Sequence, residues 1–193
     1  MPRPLPLAFA LAALLYAAPG APANATDLAP LAPLATGHMD KLVVHEAPRE
    51  RVEAEFIDAN GTPMGLDAFA GQVVLVNFWA TWCPPCRAEM PAIANLSRAL
   101  GGEDFAVVAL STDFGGLDKP RAFLEEINVT DALPLYQDAK RQLARESGVM
   151  GLPVTLLLDR QGREVARLIG DAEWDSPEAK AVVRALIEAT GES

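Results

Sequence analysis

Cys83 and Cys86 are the only cysteines in the 193-residue chain, and they stand two residues apart in Thr81-Trp82-Cys83-Pro84-Pro85-Cys86. A pair at this spacing suits dithiol–disulfide exchange, half of a zinc site, or a structural cross-link. Zinc takes about four ligands, and the two histidines, His38 and His45, lie well upstream. A cross-link over so short a loop restricts the unfolded chain little, because stabilisation grows with the length of loop closed. Redox exchange is therefore the leading reading. An apolar run precedes the pair and a helical pattern follows it, which puts the first thiol at a helix N-terminus. Unpaired amides and partial positive charge there favour the thiolate, the attacking species. Cys83 is the expected exposed nucleophile, and Cys86, one turn later, the thiol that resolves the mixed disulfide. Pro84 fits the first helical position, where its missing N–H costs nothing. Pro85 removes a second N–H, leaving fewer amides to stabilise the thiolate.

The elements that hold this pair can be read from pattern. Val73 to Ala80 is an almost continuous apolar run, expected as a central strand covered on both faces. Met90, Ile93, Leu96 and Leu100 recur at helical spacing until Gly101-Gly102, with Pro91 inside the pattern as an expected kink. Earlier, Val52, Ala54 and Phe56 alternate with acidic residues as a half-buried strand. Asp58-Ala59-Asn60-Gly61 turns the chain, and Leu66 to Phe69 reads as one helical turn. Later come a strand at Phe105–Leu110, a helix at Asp118–Asn128, a short extended piece at Leu133–Tyr136 and a helix at Ala139–Ser147. Strands at Val154–Leu158 and Glu164–Ile169 are joined by Asp159-Arg160-Gln161-Gly162, a hairpin signature. Ser176-Pro177 caps a last helix that carries Val182, Val183, Leu186 and Ile187. Strand–helix alternation followed by a hairpin and a helix indicates an α/β fold with a mixed central sheet flanked by helices.

The formal net charge of −10 disfavours nucleic acid as a partner. Residues 1–25 read as a signal peptide: Arg3, an uncharged apolar run from Leu5 to Ala18, then Ala23-Asn24-Ala25 as a cleavage site. The alternative is an uncleaved anchor. The run is shorter than the roughly 20 apolar residues a span needs, contains Pro6 and stops at Pro19. Residues 26–48, rich in Ala and Pro without periodicity, are expected to be an extended tether. The folded domain is then 49–191.

Val74 to Pro91 resembles the active-site segment of the TlpA/ResA branch of the thioredoxin superfamily, and Gly148-Val149-Met150-Gly151-Leu152-Pro153 resembles the segment before that fold's cis-proline. Gly170-Asp171-Ala172-Glu173-Trp174 is closest to the TlpA type, and the likeness covers about Glu50 to the C-terminus. The resemblance implies a thioredoxin-like fold with an N-terminal hairpin extension and an inserted βα element. It implies a cis Pro153 packed against the cysteines, leaving the backbone of Leu152 free for an extended client strand. Trp82, Pro84 and Leu152 are the expected client contacts, whereas Trp79 is expected in the core. Thioredoxin itself has a buried aspartate where this chain has Asn77, which cannot carry a proton. Glu89, an acid in the first turns of the helix, is the implied replacement.

The function implied is a periplasmic thiol:disulfide oxidoreductase working as a reductase, with no cofactor and no metal. Its clients would be disulfide-bearing exported proteins in cytochrome oxidase copper-centre or cytochrome c assembly, and a membrane thiol donor would re-reduce it. The branch serving cytochrome c typically has a glutamate after the cis-proline, and Val154 stands there instead, which tilts the reading toward the TlpA type. The protein is expected to be a monomer. Two alternative readings stand beside it. A Sco-like copper chaperone needs a CxxxC pair and a late histidine, and a peroxiredoxin-type peroxidase needs a Thr or Ser where Ala80 stands.

Overall fold

The computed structural model describes residues 27–191. The eight strands among these described residues are β1 (Leu42–Arg49), β2 (Phe56–Ile57), β3 (Pro63–Met64), β4 (Val73–Trp79), β5 (Phe105–Ser111), β6 (Tyr136–Gln137), β7 (Val154–Leu158) and β8 (Glu164–Ile169). They form one sheet in the order β1-β8-β7-β4-β5-β6-β2-β3. β4 and β5 run parallel, as do β5 and β6, while β7 lies antiparallel to β4 and the remaining pairs are antiparallel. The helices are α1 (Pro84–Leu100), α2 (Asp118–Glu126), α3 (Gln142–Glu146) and α4 (Pro177–Gly191). This is a thioredoxin-like α/β arrangement. β2 and β3 make the N-terminal hairpin, and β6 with α3 the inserted βα element.

β4 is buried at every residue because side chains cover both its faces. Val73, Leu75 and Trp79 face a core shared with α1, α2 and α4, whereas Val74, Val76 and Phe78 face a second core that includes Leu143 and Ala144 of α3. Alternation along the strand therefore turns Asn77 toward the α1 side. Trp79 is fully buried, its ring 5.5 Å from that of Phe123.

The expected tether is corrected for all of its described part. Leu28, Leu31, Met39 and Leu42 are buried in the α1/α4 core, two 3-10 turns (Ala32–Leu34 and Gly37–Met39) seat the segment, and β1 pairs with β8. Gly37 sits at φ +56°, and a Cβ there would meet Glu178 Oε1 of α4 at 3.0 Å. Pro48 is tolerated because β1 is an edge strand. His45 consequently belongs to the domain. Its Nε2 lies 2.6 Å from Glu164 Oε1, and Arg167 donates to both oxygens of the same carboxylate at 2.7 Å.

Helix α1 runs to Leu100 with Pro91 inside it, as the spacing implies. Two smaller expectations change. The strand read over Val52–Phe56 shrinks to β2. The helix read from Ala139 begins only at Gln142, because the Asp138 carboxylate accepts the N–H groups of Gln142 and Ala144 at 2.8 and 2.9 Å. Residues 1–25, the expected signal peptide, lie outside the described residues. Among the described residues no helix is long and apolar enough to cross a membrane.

Candidate active site

Where β4 ends, Ala80-Thr81-Trp82 turns the chain, and Cys83 becomes the N-cap of α1. Pro84 and Pro85 fill the first two helical positions, so the first free amide beyond the cap is that of Cys86. That N–H donates to Cys83 Sγ at 3.4 Å, and Arg87 N–H donates to the Cys83 carbonyl at 3.1 Å. The sulfur thus receives the donor that the start of a helix leaves unpaired. The two cysteines are joined as a disulfide. Cys83 is 4% exposed and Cys86 0%. The order of access matches expectation, but the openness expected of Cys83 does not, because the turn and the proline-led helix close around it.

Asp113, which sequence reasoning missed, holds that turn. Its carboxylate accepts the Thr81 N–H at 2.9 Å and the Thr81 hydroxyl at 2.7 Å. Ser111 Oγ donates to the same group at 2.9 Å, and Gln137 Nε2 donates to the Asp113 carbonyl. A clue was present in the polar Ser111-Thr112-Asp113 that closes β5 beside β4. From the other side, the Arg87 guanidinium lies 4.7 Å over the Phe123 ring.

The Leu152–Pro153 peptide bond is cis and leads into β7, whose Val154 pairs with Phe78 of β4. Antiparallel pairing brings Met150 to Pro153 to the end of the sheet where Cys83 lies. Trp82 is 61% exposed, Pro84 is exposed and Leu152 half-buried. Two further large apolar side chains at this end escaped sequence reasoning: Phe114, 67% exposed, follows Asp113, and Met150, 95% exposed, precedes the cis bond. Exposure was the missing signal, since both residue types are ordinarily read as core.

Glu89 lies one turn after Cys86 on the same helix face and is 4% exposed. Asn77 Nδ2 donates to its Oε1 at 2.8 Å and to Thr155 Oγ1 at 2.9 Å, and Ala172 N–H donates to Oε2 at 3.1 Å. The Trp174 indole N–H is near enough to favour the charged form without completing a hydrogen bond. Burial nevertheless dominates: it pushes the carboxyl up to about 7, against the Asn77 and Ala172 donors, and the charge of Asp171 adds to the rise. Asn77 Oδ1 has no partner. With the amide turned over, that oxygen would accept from a protonated Glu89, so one side chain can serve both forms of the acid.

The family profile for Redoxin matches residues 43–183. Thioredoxin-like protein YneN of Bacillus subtilis is 37% identical over 53% of this chain, and the match spans 59% of that protein. Thiol-disulfide oxidoreductase ResA of Bacillus cereus is 27% identical over 70% of this chain and 76% of its own length. Thiol:disulfide interchange protein HelX of Rhodobacter capsulatus is 35% identical over 67% of this chain and 69% of its own. Among solved structures, one assigned to a DsbE thiol:disulfide interchange protein of Chlorobium tepidum superposes with a TM-score of 0.64 over 72% of this chain and 96% of that one, at 26% identity.

Proposed function

Because the chain belongs to the Redoxin family as a thiol–disulfide oxidoreductase, we propose that it reduces disulfides of exported client proteins through the Cys83/Cys86 dithiol. The observation that carries this reading is the cysteine pair at the mouth of α1 with a buried, proton-holding Glu89 one turn below. The Cys83 thiolate attacks one sulfur of a client disulfide, and the other sulfur leaves as a thiolate that water protonates. Cys86 then gives its proton to the Glu89 carboxylate and attacks Cys83 Sγ. The second client sulfur leaves, and the pair of electrons the client gains is the pair the enzyme loses in forming Cys83–Cys86. Trp82, Pro84, the Leu152 backbone beside Pro153, Phe114 and Met150 form the surface on which an extended apolar client segment rests. Clients in cytochrome oxidase copper-centre or cytochrome c assembly, a periplasmic site of action and a membrane thiol donor accord with the TlpA/ResA likeness.

Glu89 is ionised above about 7 and protonated below it, so resolution of the mixed disulfide accelerates as pH rises through that value. Glu89→Gln is expected to flatten this rise in an insulin-reduction assay; an unchanged profile would remove the role. Stability runs the other way. The folded carboxyl holds its proton up to about 7 and the unfolded one only to about 4.5, so stability falls as pH rises through that window. The loss is on the order of 3 kcal/mol above it. Urea unfolding of Glu89→Gln at either side of the window should show most of that fall gone.

A further inference from the structure

A base that takes a proton from Cys86 must pass it on, yet Glu89 is closed in by Asn77 of β4, by Trp174 and by the α1 core. An opening among the described residues reaches it. A cavity of about 400 Å³ is lined by Gly37, His38, Asp40 and Lys41 of the N-terminal segment, by residues 171–173 before α4, and by Ala88 and Glu89 of α1. At roughly 30 Å³ per molecule this is room for on the order of ten waters. Lys41 bridges the first two of these: its Nζ lies 3.6 Å from Asp171 Oδ1 and donates to the Asp171 carbonyl at 3.2 Å.

We propose that this cavity is the proton port of the disulfide site, the passage by which Glu89 exchanges its proton with solvent, spanned by the Lys41–Asp171 pair. The inference rests on the acid–base reading of Glu89 and adds the route. After Cys86 has protonated the carboxylate, the acid O–H passes its proton to a cavity water, and hydronium leaves through the opening. The carboxylate is regenerated and no electrons move in the step. During re-reduction the same path runs inward.

The charged and titratable groups facing Glu89 from each packed element are His38, Asp40 and Lys41 of the N-terminal segment, Asp171 and Glu173 of the loop before α4, and Cys86 of α1. Asp171 opposes ionisation of Glu89, and Lys41 offsets part of that charge. Gly37, His38, Asp40 and Lys41 belong to the stretch whose composition reads as a tether. The port therefore exists only because that stretch packs on the domain.

The test uses the full chain in its disulfide form, where neither cysteine titrates and carboxyl-carbon NMR follows Glu89 by itself. Ala88→Leu places an isobutyl group in the cavity from an exposed position that the fold tolerates. With water displaced, the Glu89 midpoint should rise by about one unit. In the reduced protein, resolution of a mixed disulfide near neutral pH should slow by about threefold or more, with a larger solvent deuterium isotope effect. Asp171→Asn should move the midpoint down. An Ala88→Leu protein with the parental midpoint, rate and isotope effect overturns the port. A Glu89→Gln protein with an unchanged pH profile instead overturns the acid–base reading, so the two failures are told apart.

Discussion

Cys83→Ser should cleave insulin or client disulfides no faster than background, a loss on the order of a thousandfold or more, because a serine hydroxyl stays protonated where a thiol at a helix mouth ionises. Cys86→Ala should behave differently. Cys83 keeps the Cys86 position's backbone N–H as its donor, so the first attack survives, but no thiol remains to release the adduct. Client proteins should accumulate in disulfide linkage to Cys83, visible as reductant-sensitive bands and identifiable by mass spectrometry. That experiment also names the clients. Full-speed cleavage by Cys83→Ser, or adducts that form on Cys86 instead, would refute the assignment of the two sulfurs.

A second large effect is expected far from the sulfurs. Leu31 is completely buried in the core that α1 and α4 share. Leu31→Ala removes the Cγ methine and its two methyl groups and leaves a hole that neighbours fill only in part, for a cost of about 2–5 kcal/mol in urea unfolding. A residue in a solvated tether would change stability by less than about 0.5 kcal/mol. The two outcomes are well separated, and the smaller one would return residues 27–41 to the status of a linker.

Why the chain betrayed some of this and hid the rest follows from how each element is stabilised. β4 is an apolar run because two layers cover it, and α1 shows helical spacing because one face meets β4; both patterns are local and readable. The hairpin of β7 and β8 was legible for the same reason, its turn residues being adjacent. Residues 27–41 follow no period because 3-10 turns and single anchors, not a regular helix or strand, bury Leu28, Leu31 and Met39. In β1 the burial does not alternate, and its register against β8 shifts between Val44 and Arg49, which erases the period-2 signal. At the site, the cysteines, Glu89 and Pro153 lie in motif segments, so resemblance reaches them. Asp113 acts on Thr81 through space from the loop after a neighbouring strand, and the parallel pairing of β4 with β5 brings the two together. Phe114 and Met150 stand out by what fails to cover them, which no sequence pattern records.

The pairing of Leu42 with Leu168 ties the earliest strand of the domain to one of its last. A chain that emerges from its N-terminus during synthesis must keep β1 and the Leu31 anchor unmatched until β8 and α4 have emerged behind them. Trimming helix α4 would therefore unseat the segment from Leu28 to Met39 that packs against it, and the two should fail together.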